Sequence, residues 1–94
     1  MILHAAARSH GDGDRARVAV IASRRVGGAV QRNRAKRRLR ELIRAVPLRR
    51  DVDLVLVARP RCVDAPFDEL GAELIELCGS LEVLDTSLSA ESRA

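Results

Sequence analysis

Nine of the chain's seventeen Lys and Arg residues fall between Arg24 and Arg44, a stretch in which Glu41 is the only acid. Sixteen of the seventeen are Arg, whose planar guanidinium grips phosphate with two parallel hydrogen bonds, so the chemistry on offer is binding of a phosphate backbone. Read at about 3.6 residues per turn, Ala35, Leu39, Leu42, Ile43 and Val46 share one helix face. Asn33, Arg37, Arg40 and Arg44 line the opposite face, with Arg34 and Lys36 on its flanks. The apolar face can hold the helix to a core while the basic face stays free for a polyanion. A helix that is charged only for solubility mixes acids among its bases. One acid against nine bases instead leaves like-charge repulsion that a bound anion relieves.

Hydrolytic chemistry without a nucleic-acid partner needs metal-binding carboxylates or an acid/base pair. Asp12, Asp14, Asp51, Asp53 and Asp64 are the candidates, and their settings read as turn and cap positions. His4 lies in an expected strand and His10 in a polar turn, neither beside a Ser, Cys or carboxylate pattern that suggests catalysis. Cys62 and Cys78 lack metal-ligand spacing and read as buried free thiols. Glu69, Glu73 and Glu76 read as the solvated face of a second helix. No catalytic residue and no metal ligand is assigned to the chain.

The elements that must position the basic face follow from period and punctuation. The 94 residues suit one small domain, placed at residues 1–86, with a frayed tail at 87–94. Residues 1–61 hold sixteen bases against five acids, and residues 62–94 hold one base against eight. A polyanion is thus drawn to the first two thirds. No apolar run is long enough to span a bilayer and no signal-peptide pattern is present, so a cytoplasmic location without membrane contact is expected. In that compartment a disulfide is not expected.

Ile2 to Ala7 and Arg17 to Ala22 read as strands joined across the turn Ser9 to Asp14, predicting a hairpin. Gly27-Gly28 breaks the chain before the basic helix, expected from Ala29 to Val46 and stopped by Pro47. Asp53 to Ala58 is a continuous apolar run, as in a strand covered on both faces. A second helix is expected from Phe67 to Gly79, with Phe67, Leu70, Leu74, Leu77 and Cys78 inward and Gly79 as its stop. Leu81 to Leu84 reads as a further strand or a trailing turn. The order β-β-α-β-α predicts a two-layer α/β sandwich, a small sheet covered by two helices.

The segment Ser23-Arg24-Arg25-Val26-Gly27-Gly28-Ala29-Val30-Gln31-Arg32-Asn33-Arg34-Ala35-Lys36-Arg37-Arg38-Leu39-Arg40-Glu41 closely resembles the signature of the protein subunit of bacterial ribonuclease P. Asp51 to Pro60 resembles that family's strand after the basic helix. Ile2-Leu3-His4-Ala5 resembles its first strand, and Phe67-Asp68-Glu69-Leu70 the opening of its last helix. The resemblance covers roughly residues 2–80. It implies a ribosomal-protein-like fold with a left-handed β-α-β crossover, against the usual right-handed preference. It also implies a ribonucleoprotein that removes the 5′ leader from precursor tRNA. In such a particle the ribonuclease P RNA performs a Mg²⁺-dependent hydrolysis, and the protein improves affinity for substrate and metal.

Position by position, the resemblance makes Arg32, Asn33, Arg34, Lys36, Arg37 and Arg40 the motif residues that face RNA, and Arg24 and Arg25 the basic pair at the helix entrance. Arg44 extends the same face. Arg32 sits nearer the core edge than the others, its stem packed and its guanidinium reaching out. Backbone N–H groups at Gly27 and Gly28 either meet a phosphate or simply form a turn.

The family usually carries a helix before the first strand, with basic and aromatic side chains that help form a cleft for the leader. Here Ile2 opens the first strand at once, and Phe67 is the sole aromatic residue. Either Met1 is not the native start, or the protein is a minimal form with impaired leader binding. The alternative function is a non-catalytic structural RNA-binding module such as a ribosome-associated protein.

Overall fold

Val52–Val57 is the most continuously apolar strand in the chain, and it takes the middle of the sheet. The computed structural model describes residues 1–7 and 15–85. Within them β1 (Ile2–Ala7) runs antiparallel to β3 (Val52–Val57), and β2 (Arg17–Ile21) runs parallel to it, in the order β1-β3-β2. The expected hairpin is therefore incorrect, because β1 and β2 both pair with β3 and not with each other. A central place gives β3 backbone partners on both edges, while the short β1 and β2, with most residues exposed, tolerate the rim. The parallel pair β2 and β3 needs a crossover, which α1 (Ala29–Arg44) supplies.

The register sorts the sheet into two unlike faces. Leu3 and Val20 both lie opposite Leu56, on the side covered by α1 and α2 (Phe67–Ser80). Ala35, Leu39, Leu54, Leu56, Leu70 and Leu74 are each exposed by 1% or less and form the centre of the core. Burying one such Leu is worth about 1.5–3 kcal/mol, against a few tenths for a like-charge pair on a helix surface. Packing thus holds α1 in place despite its charge. Gly71 lets the helices meet closely, since a Cβ there would lie 3.2 Å from Leu42 Cδ2.

Among the described residues no helix covers the other sheet face, the open one. Ile2 and Ile21 are 38% and 49% exposed, and Asp53, Val55 and Val57 are half-buried, so β3 is covered on one side and not on both as expected. The result is a two-layer α+β fold, a three-stranded sheet with both helices on one face.

Element ends depart in small ways. α1 stops at Arg44, two residues before the expected Val46, although Val46 remains buried. Gly79 lies inside α2 and is not its stop. Glu82 takes the left-handed position at φ 58°, with Val83 N–H donating to Cys78 O and Glu82 N–H to Gly79 O, both at 3.1 Å. This is the Schellman closure, with Glu where Gly is usual. Leu84 then bridges to Leu48, so 81–84 is a turn ending in a single bridge.

Phe67 was expected inward but is 43% exposed, because it is the first residue of α2 and the buried row begins one turn later at Leu70. Glu73 is not simply solvated: it accepts from the Met1 amino group at 3.3 Å and pairs with Arg61. Burial raises its pKa, but these two hydrogen-bonded cations outweigh that and hold it below the usual carboxylate value. Cys62 and Cys78 are buried free thiols, and burial pushes the Cys78 thiol up. The turn at Ser9–Asp14 and the tail at 87–94 lie outside the described residues, as do His10, Asp12 and Asp14.

Candidate RNA interface

The entrance to α1 is built from a tight turn. Ser23 caps a single 3-10 turn, Arg24–Val26, its hydroxyl accepting from Arg25 N–H at 3.3 Å, and Val26 plugs into the core. Gly27 follows at φ 143°, a backbone conformation essentially restricted to glycine, and a Cβ there would lie 2.9 Å from Gln31 Cβ. Gly28 is the N-cap. Arg24 and Arg25 are therefore carried, exposed, on a rigid element just ahead of the helix. Gly27→Ala is expected to cost about 1–3 kcal/mol, read as a lower urea midpoint; an unchanged midpoint would show that the turn relaxes freely.

Along α1, Ala35, Leu39 and Ile43 are buried, and this anchors the opposite face outward. Asn33, Arg37, Arg40 and Arg44 are all exposed and come together, with Glu41, around a shallow cleft of about 370 Å³. From Asn33 to Arg44 the stripe rises about 16 Å along the axis at 1.5 Å per residue. Three guanidinium groups on a rigid rod, with one carboxylate among them, make a strip of positive potential suited to consecutive phosphates. Arg32 and Lys36 are half-buried on the flanks, as their wheel positions suggest.

Arg34 is exposed on the flank of the stripe and is also tied to the fold. Its Nε donates to the backbone carbonyl of Val63 at 2.9 Å, so this side chain leans toward the turn before α2. Arg38, absent from the sequence-based site, turns the same way. It donates through Nη1 to Cys62 O at 2.8 Å and through Nη2 to Ala65 O, and it lies 5.8 Å from the Phe67 ring centroid. Arg34 and Arg38 thus clamp the 62–65 turn to α1. Nothing in their sequence neighbourhood separates them from Arg37 or Arg40, since their acceptors lie 24 to 29 residues away.

Two further basic clefts were not anticipated. Arg25 shares a cleft of about 420 Å³ with Ser23, Arg59 and Pro60 at the ends of β2 and β3. At the opposite end of α1, Arg44 shares another with Arg15 and Arg50. Among the described residues, no group of three or more His, Cys, Asp and Glu side chains is placed to hold a metal ion, and no helix is long and apolar enough to cross a membrane. His4 is exposed on the open sheet face.

Residues 1–82 match the Ribonuclease P family. The chain is 41% identical over 68 residues to the ribonuclease P protein component of Dehalococcoides mccartyi, covering 72% of this chain and 57% of that protein. It is 47% identical over 64 residues to the component of Chloroflexus aurantiacus, covering 65% and 47%. The chain thus spans about half the length of the curated relatives it matches. Among solved structures, the Staphylococcus aureus RNase P protein superposes with a TM-score of 0.70 at 21% identity, over 88% of this chain and 75% of that one. The Thermotoga maritima RNase P protein gives 0.64 at 23%, over 80% and 71%. These two likenesses establish the fold, and the sequence matches favour this family over a ribosome-associated module. A match across residues 1–82, centred on the basic helix, means that the chain belongs to the ribonuclease P protein family.

Proposed function

We propose that this chain serves as the protein component of a ribonuclease P ribonucleoprotein in the cytoplasm, holding the RNA subunit with the outer face of α1. The observation that carries this reading is the aligned stripe Asn33, Arg37, Arg40 and Arg44, exposed on a helix whose other face is locked into the core. Arg24 and Arg25 extend the contact beyond the helix entrance, and Arg32 and Lys36 broaden it at the flanks. Arg34 is exposed beside them, with its Nε on the Val63 carbonyl.

In this proposal the Mg²⁺ belongs to the RNA, which removes the 5′ leader from precursor tRNA, and the protein contributes binding and charge neutralisation. The sheet face opposite the helices bears Ile2, His4, Val55, Val57 and Ile21, and among these only the His4 ring offers a stacking surface.

Purified protein, freed of RNA by nuclease treatment, is expected to leave labelled precursor tRNA uncut, and cleavage at the 5′ end is expected only when the RNA subunit and Mg²⁺ are added. Specific 5′ processing by RNA-free protein would overturn the proposal, and so would a failure of the protein to improve cleavage by its RNA at low Mg²⁺.

A further inference from the structure

We infer that the cleft between the end of α1 and the start of β2 seats one unstacked nucleotide of a single-stranded RNA segment, the base on an apolar floor and its phosphate on an arginine rim. This rests on the reading of α1 as an RNA-binding helix and extends it to a second kind of contact. The floor is formed by Val18, Ile43, Val46 and Leu48, and the rim by Arg15, Arg44 and Arg50. The cleft is about 510 Å³, within the roughly 300–1,000 Å³ that small ligands occupy. None of the described residues that line it is acidic.

Its composition separates it from the neighbouring cleft. That one, lined by Asn33, Arg37, Arg40, Glu41 and Arg44, is walled by polar side chains and suits a backbone that passes by. The cleft at the helix end adds a concave apolar surface, which a phosphate alone does not need and a base ring fills. Arg44 belongs to both. A strand that follows the stripe from Asn33 to Arg44 therefore runs off the end of α1 and over this floor. Two of the last carbonyls of the helix are already engaged, since Ala45 N–H and Val46 N–H donate to Leu42 O and Ile43 O at 3.2 and 3.1 Å. A duplex, with its bases stacked inside, cannot offer a base to the floor.

The test is NMR of the full chain, resolving methyl groups and arginine Nε–H groups, during titration with single-stranded hexa-adenylate, with an RNA duplex of equal length, and with ribose 5-phosphate. Hexa-adenylate is expected to shift the methyl signals of Val18, Ile43, Val46 and Leu48 saturably, with the upfield sign of a stacked ring, while the duplex and ribose 5-phosphate leave them in place. Ala16 also lines the cleft, and Ala16→Leu, which fills it, is expected to raise the half-saturation concentration for these shifts by roughly tenfold, the contact of about one base, with the Arg37 and Arg40 signals still responding. Methyls that ignore hexa-adenylate, or that respond equally to ribose 5-phosphate or duplex, overturn the inference. If the Arg37 and Arg40 signals move without the methyls, the cleft is empty and the α1 reading survives; if the methyls move without those arginines, the cleft stands and the α1 reading falls.

Discussion

Changing Arg37, Arg40 and Arg44 together to Glu is expected to abolish binding of structured RNA at physiological salt while the fold persists. All three are exposed, none belongs to the core, and each lies opposite the buried row Ala35, Leu39 and Ile43. The substitution replaces three positive charges with three negative ones beside Glu41, so a passing phosphate backbone meets repulsion where it met charge-assisted hydrogen bonds. Arg and Glu have similar helix propensity, and a Glu in the last turn of α1 opposes the helix dipole by about 0.3–1 kcal/mol. That is small beside the core packing. Milder Arg→Ala changes should each lower the log–log salt slope of binding by roughly 0.7–0.9. Filter binding across a salt series and circular dichroism of the same proteins decide the matter. Undiminished binding with an unchanged spectrum would put the RNA on another surface.

Arg38→Ala is expected to act in the opposite way, destabilising the protein and sparing the salt slope. Its guanidinium holds the carbonyls of Cys62 and Ala65 and lies over Phe67, fastening the turn that leads into α2. Removing a charged donor from two part-buried carbonyls costs about 2–3 kcal/mol, which for a domain of this size lowers Tm by roughly 10 °C or more. Arg38→Lys restores the charge but not the planar fork and should recover little of the loss. Thermal melts of the variants are the measurement. A wild-type Tm for Arg38→Ala, or a salt slope reduced as much as by Arg37→Ala, would mean that Arg38 meets phosphate and not the turn.

The stripe on α1 and the turned-in Arg34 and Arg38 show what a sequence reveals of this site and what it withholds. The basic helix is legible because its charge and its apolar row have the same period, so Asn33, Arg37, Arg40 and Arg44 fall on one face of the helix. Arg34 and Arg38 have the same local surroundings, and only the folded chain brings Val63, Cys62 and Ala65 to them. All three strands were legible from apolar runs, but their order was not. Pairing depends on which strand most needs two neighbours, and β3 outcompetes the local hairpin. Gly79 looked like a helix stop because glycine favours the left-handed cap, yet Glu82 occupies that conformation, held by Val83 entering the core. The single aromatic residue, Phe67, fitted the inward row by spacing and falls outside it because α2 begins there.

The central claim is that the outer face of α1 holds the RNA subunit of ribonuclease P. Its most direct test is ultraviolet cross-linking of the tagged full chain in its own cells, followed by sequencing of the attached RNA and identification of the cross-linked peptides. The account predicts one structured RNA, the ribonuclease P RNA, joined to peptides from Arg24–Arg44. Recovery of ribosomal RNA in its place, or cross-links confined to the acidic helix Phe67–Ser80, would contradict it.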